Sequence, residues 1–231
     1  MSAEEPEAGE LVDLRKWRLP RGRHGLPREL VTRSQRERLL AAVVRATVDH
    51  GYEATTVGDI LGEAGVGRES FYELFDDKLD CMLAAHAILV DHLEERVREV
   101  YLQQGAWAER VRAALAVTLE WFASDPTAAR FTLIELATVG PASRDRFRRD
   151  FNRFIGLLDE GLDASAPDPA VARATSLAVG AALARVYEEV LLGRAARLPE
   201  LLPELTYEVL VPFLGEKAAR AEARRAEVSS R

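Results

Sequence analysis

The chain has 231 residues, 48% of them hydrophobic and 30% charged, with a net charge of −7. This is the composition of a globular protein long enough for one large domain or two small ones, with a core that needs no cross-links. The lone cysteine, Cys81, excludes an internal disulfide, and its apolar neighbours Met82 and Leu83 mark it as a small buried hydrophobe. There is no uninterrupted apolar run of about 18 residues, so no membrane span is expected. The acidic start, Met1 to Glu10, is unlike a signal peptide, and the expected address is cytoplasmic.

The charge is unevenly distributed. Arg15 to Arg38 holds nine basic and two acidic residues, a net +7 that leaves −14 for the remainder. A basic end on an acidic body suits a protein that turns one face to a polyanion.

Residues 1–30 carry Pro6, Pro20, Pro27 and several glycines without helical periodicity, and read as a basic, partly disordered arm. From Thr32 onward, Leu39, Leu40, Val43, Val44 and Thr47 recur at helical spacing up to Gly51. Thr56 is placed to cap a short helix, Val57 to Ala64. Gly65-Val66 breaks it, and a second short helix is expected from Gly67 to about Phe75. A long helix follows from Asp76-Asp77 to about Gln104.

Further helices are expected over Trp107–Ser124, Thr127 to about Val139, Pro141 to about Leu162, Ala170–Gly193 and Pro199–Leu214, with a loop at 163–169. No strand-type alternation is present, so the fold class is all-α. The divisions are an arm (1–30), a helix-turn-helix domain of three helices (31–80), a helical ligand-binding and dimerisation domain (81–215) and a charged tail (216–231).

Two short helices joined by a glycine turn form a helix-turn-helix, which exposes its second helix to the major groove of DNA. The stretch Gly51-Tyr52-Glu53-Ala54-Thr55-Thr56-Val57-Gly58-Asp59-Ile60, with Ala64-Gly65-Val66, Ser70-Phe71-Tyr72, Phe75 and Lys78, resembles the DNA-binding domain of the TetR family of regulators. The resemblance implies a double-stranded DNA operator as partner. It also implies DNA-facing roles for Arg36, Thr56, Gly67, Arg68, Glu69, Ser70, Tyr72, Glu73 and Lys78. Among these, Thr56 would cap near a phosphate, Tyr72 would touch the backbone, and Lys78 would bind a phosphate. Glu69 and Glu73 depart from the family pattern by putting acids on the reading helix; a glutamate can accept from the amino group of cytosine.

In the remainder, Thr175, Ser176, Val179, Leu183, Val186, Tyr187 and Val190 form a broad stripe beside small residues that include Ala178 and Ala182. With the following helix, this resembles the two-helix element that pairs TetR-type homodimers; packing within one chain is the other reading of the stripe. The resemblance also implies a small-molecule pocket among the middle helices, with Trp107, Trp121, Phe122, Phe131, Glu135, Phe151 and Tyr187 as its expected lining for an apolar or aromatic ligand. No metal-ligand motif, phosphate loop or nucleophile elbow is found, so neither metal, cofactor nor enzymatic activity is expected. The expected function is a DNA-binding transcription regulator, a repressor released by its ligand. The alternative is a helical ligand-binding or protein-interaction module that has lost DNA binding through its two acids.

Overall fold

Helical periodicity is realised throughout the residues that the structure, a computed structural model, describes: 27–103, 105–159 and 169–229, among which there is no strand. Most of the expected N-terminal arm, including Arg15 to Arg23, and nearly all of the expected loop at 163–169 lie outside the described residues. The chain divides into two units, Met1–Ala85 and His86–Arg231.

Among the described residues, the first helix of the first unit is α1 (Arg28–His50), which starts four residues ahead of the point where periodicity becomes legible. Its opening turns are mostly exposed, so no apolar pattern marks them. They are started by the Pro27 carbonyl, which accepts from the Leu30 and Val31 amides at 3.1 and 3.3 Å. From Leu39 to Val44 the helix is buried on nearly every side. It stops at Gly51, whose φ of 79° continues no helix.

The short α2 (Val57–Ala64) opens with a reciprocal cap: the Thr56 hydroxyl accepts from the Asp59 amide, and the Asp59 carboxylate accepts from the Thr56 amide at 2.8 Å. Gly65 closes it in the left-handed conformation (φ 61°, ψ 40°), where a side chain is costly. After it, α3 (Arg68–Tyr72) is shorter than the expected span to Phe75. The following amides fold into tight turns instead: Leu74 and Phe75 both donate to the Phe71 carbonyl, at 3.0 and 2.9 Å. Ile60, Val66, Phe71 and Phe75 are buried beneath the two short helices. Cys81 is fully buried, and burial pushes its thiol up to about 12, as an inert core residue requires.

The long α4 (Lys78–Tyr101) starts in the first unit and continues into the second. Asp77 caps it, accepting from the Asp80 amide at 2.8 Å. The second unit then contains α5 (Trp107–Ser124), α6 (Pro126–Arg130), a π-helical turn (Phe131–Glu135), the short α7 (Leu136–Thr138), α8 (Pro141–Asp159) and α9 (Pro169–Leu191). A 3-10 segment (Ala195–Leu201) and α10 (Leu202–Ser229) complete it, α10 being broken at Gly215. Asp125 caps α6 by accepting from the Thr127 and Ala128 amides at 3.1 and 3.0 Å, with Pro126 in the first turn, where a missing amide costs nothing.

The π turn was not legible in the sequence. It inserts one extra residue per turn, and the Arg130–Glu135 ion pair (3.2 Å) spans that five-residue repeat. All five π-turn residues are buried. The charged tail expected from residue 216 is helical to Ser229.

Candidate nucleic-acid interface and ligand cavity

In the first unit, the helix-turn-helix positions its side chains by burying every third or fourth residue. Phe71 is completely buried and packs against the Phe75 ring with centroids 5.6 Å apart. That leaves Arg68, Glu69, Tyr72 and Glu73 on the outward face of α3, all exposed. Tyr72 is 51% exposed and stands edge-on to Phe71. Gly67 caps α3 without a side-chain bond. Ser70 is half-buried and accepts from Gln35 Nε2 at 3.3 Å, which ties α3 back to α1.

The other expected DNA-facing residues are engaged in the scaffold. The Arg36 guanidinium lies 4.9 Å over the Phe75 ring. The Thr56 hydroxyl is exposed, yet it donates to Asp59 Oδ2 (2.7 Å) while accepting from the Asp59 amide. These bonds hold the Asp59 carboxyl below its ordinary range. Lys78 is half-buried: its Nζ donates to the Tyr52 and Thr55 carbonyls at 2.5 and 2.7 Å and stands 3.9 Å over the Tyr52 ring. It therefore clasps the loop ahead of α2 to the start of α4. Thr55 completes that clasp, donating from beneath to the Ala46 and Gly51 carbonyls at 3.0 and 2.8 Å.

In the second unit, a cavity of about 160 Å³ is lined from six elements, with Leu205 and Val209 supplied by α10. One stripe of α5 faces it: Val111, Ala114, Leu115, Thr118, Leu119 and Phe122, at the spacing of a single helix face. Another comes from α4 (His86, Val90, Leu93, Val97). The π turn adds Thr132 and Leu133, α8 adds Phe147, Asp150, Phe151 and Phe154, and α9 adds Val179, Ala182, Leu183 and Val186.

Of the seven lining residues expected from sequence, Phe122 and Phe151 line this cavity. The other five lie elsewhere in the second unit. Trp121 precedes Phe122 by one residue, about 100° around the helix, so it packs edge-on to Phe122 within the core. Tyr187 stands in the same relation to Val186 and packs against the core. Phe131 is fully buried one position before Thr132. Glu135 is paired with Arg130, and Trp107 packs on Phe213 of α10 with ring centroids 5.3 Å apart.

The stripe expected to pair two subunits also faces inward in large part. Val179, Leu183 and Val186 line the cavity, and Thr175, Ala178 and Val190 are buried. The exposed side of α9 carries Leu177, Ala181, Ala184 and Leu191 instead.

His86 and Asp150 were missed. His86 is 1% exposed and its Nδ1 lies 3.5 Å from Asp150 Oδ2. Burial pushes the imidazole down to about 4 despite the carboxylate, so the ring is neutral at ordinary pH. Asp150 accepts from Arg146 Nε at 2.8 Å and lies 3.5 Å from Arg153, which pairs with Asp91 at 3.0 Å and with Glu94. The only signal in the sequence was a histidine within an apolar run of α4, which is equally the mark of a core residue.

A helix-turn-helix protein with a separate helical, cavity-bearing unit is thus defined. Residues 39–85 match the model of the bacterial regulatory proteins of the tetR family. Over that stretch the chain is similar to that family's DNA-binding segment. It is 28% identical to the HTH-type transcriptional regulator CymR of Pseudomonas putida over 51% of this chain and 59% of that one. It is 32% identical to the HTH-type transcriptional activator FasR of Mycolicibacterium smegmatis over 43% of this chain and 44% of that one. The matched stretches therefore span only about half the length of these curated relatives. The fold is shared with the fatty acid degradation regulator FadR of Bacillus halodurans (TM-score 0.69, 18% identity, 78% of this chain and 96% of that one). It is shared too with FadR of Bacillus subtilis, solved in complex with stearoyl-CoA (TM-score 0.66, 18% identity, 77% and 97%).

Proposed function

We propose that this chain is a transcription regulator that binds a double-stranded DNA operator as a homodimer, and a repressor that an apolar ligand in the second unit releases. The observation that carries the DNA reading is the outward stripe of Arg68, Glu69, Tyr72 and Glu73, standing on a buried base of Ile60, Val66, Phe71 and Phe75. A rigid, protruding short helix is what a major groove admits. Arg68 and the two glutamates supply groups for base edges, and Tyr72 a hydroxyl for the backbone. Thr56, Arg36 and Lys78 act in this reading by holding the reading helix in place, their polar atoms being engaged within the protein.

The homodimer reading is supported by the exposed apolar and small residues of α9, with Leu177 75% exposed and Leu191 48%. Small side chains let two helices approach closely, and a dimer spans two half-sites. The ligand reading is supported by the apolar cavity and by the shared fold of a protein solved with stearoyl-CoA. A ligand releases DNA only if it prefers one conformation of the dimer over the other.

The test is selection of genomic fragments by the full chain, followed by quantitative binding to the enriched sequence. Arg68→Ala and Tyr72→Ala should each weaken that binding by about tenfold, the loss of one good contact. Enrichment of no sequence above the non-specific background would instead favour a module that has lost DNA binding through Glu69 and Glu73. For the dimer, Leu177→Arg should shift sedimentation toward the 25.6 kDa monomer; an unchanged profile would remove α9 from the interface.

A further inference from the structure

The cavity of the second unit measures about 160 Å³, and its surface is almost wholly hydrocarbon. Thr118, His86, Thr132 and Asp150 belong to its wall, yet they contribute almost no polar surface to it. The Thr118 hydroxyl donates to the Ala114 carbonyl of its own helix at 2.8 Å. Both His86 ring nitrogens and the Thr132 hydroxyl are sealed from the surface, the imidazole hydrogen-bonding to the Thr132 backbone and facing Asp150. Asp150, the one charged side chain among the described lining residues, is held by Arg146 at 2.8 Å. What faces the space is aliphatic side chains from α4, α5, α9 and α10, and the rings of Phe122, Phe147, Phe151 and Phe154. Water gains no hydrogen bonds there, so such a space stays dry and keeps its unmet dispersion contacts for an apolar guest.

We infer that this cavity takes an uncharged hydrocarbon about the size of one ring, such as toluene, with no polar substituent inside it. The inference rests on reading the cavity as the ligand site, and names the class of molecule that site admits. Size limits the guest first. A cavity of about 150 Å³ lined by Leu, Ile and Phe accommodates one benzene molecule, and this one is scarcely larger. A long acyl chain, several times the bulk of one ring, must leave most of its length outside or push packed walls apart. The class therefore differs from the acyl thioester with which the like-folded FadR of Bacillus subtilis was solved. The wall's chemistry limits the guest next. A hydroxyl carried inside gives up its hydrogen bonds to water and meets no free partner, and a carboxylate meets no cation. The four phenylalanine rings, in turn, suit edge-on and offset contacts with an aromatic guest.

The experiment is calorimetric titration of the full chain, without DNA, by toluene, phenol, benzoate and laurate near neutral pH. Toluene should bind saturably and at least about tenfold more tightly than phenol, its near-isostere with one hydroxyl. Benzoate and laurate should not displace it. Ala114→Leu and Ala182→Leu, on the α5 and α9 walls, put extra carbons into the space. Checked as folded by circular dichroism melting, each should weaken toluene by at least about tenfold. Phenol matching toluene on the unaltered protein overturns the inference, and that comparison needs no variant. Displacement of toluene by laurate or benzoate overturns it too, while leaving the cavity as a ligand site. Folded variants that bind toluene like the parent put the guest elsewhere and overturn it. The absence of saturable binding by all four probes overturns both the inference and the ligand reading beneath it. Operator binding measured on the same preparations stays separate, so either loss leaves the DNA reading standing.

Discussion

The two units solve opposite problems with the same helices. The first fills its core, with Ile60, Phe71 and Leu39 fully buried, and keeps its variable chemistry on an outward stripe of five-residue α3. The second leaves a cavity within its core, walled almost wholly by apolar surface, with His86 and Asp150 packed behind it. A filled core makes a rigid platform for recognising a surface. A hollow one keeps apolar wall available to a guest. The difference lies in how the helices pack, since both units are built from similar amphipathic segments.

Four measurements sharpen or break that contrast. The largest effect is expected at Phe71. Removing this ring from a filled core should cost about 3–5 kcal/mol of stability, whereas Phe151→Ala in the cavity wall should cost less because the void is already there. Chemical denaturation of both variants checks it, and equal losses would argue that the two cores are packed alike.

Second is the acid response of the hollow unit. His86 is held at about 4 in the folded chain against 6.5 when unfolded, so the unfolded chain binds more protons between those values. Stability is then full above about pH 6.5 and falls as pH drops toward 4, by on the order of 3 kcal/mol. The surroundings that face this ring are Asp150, Arg146 and Asp91. Melting temperatures of the parent should decline across that window more steeply than those of His86→Phe; parallel curves would place the acid sensitivity elsewhere.

Third, Lys78→Met removes the donor to the Tyr52 and Thr55 carbonyls. A loss of about 2 kcal/mol is expected for charged hydrogen bonds. If the lysine acts as a clasp, the dependence of operator binding on salt should barely change. A salt slope that falls by about one unit would assign it a phosphate contact. The smallest effect is Thr56→Ala, a lost helix cap worth about 1 kcal/mol by thermal unfolding. A larger loss would show that the capping box supports more than α2.

Much of this was readable without coordinates. The helix-turn-helix was legible because its signals are local. Thr56 caps within three residues, Gly65 takes a left-handed turn by itself, and Pro126 starts a helix that Asp125 caps next door. Outward and inward positions on α3 follow from helical spacing once Phe71 is recognised as buried. The all-helical class follows from the same periodicity.

The cavity was only partly legible, and the reason is angular. Neighbouring residues on a helix point about 100° apart, so choosing Trp121 with Phe122, or Tyr187 instead of Val186, requires knowing which helix faces which. Aromatic content pointed to the second unit, where the cavity lies, while several of those aromatics pack into the core beside it. The π turn at Phe131–Glu135 rotates that register further, presenting Thr132 and Leu133 where a regular helix would be read differently. Likewise, periodicity showed that α9 has a broad apolar face, but the packing of α8, α10 and the π turn against it turned that face inward and left Leu177 outside. The sequence by itself determined what could be decided within a turn or two of helix: the helical class, the caps, and the identity of the DNA-binding motif. The tertiary structure decided what depends on distant helices meeting. Only there do His86 and Asp150, 64 positions apart, come within 3.5 Å in an apolar wall, because burial and pairing belong to the packed molecule and to no local stretch of it.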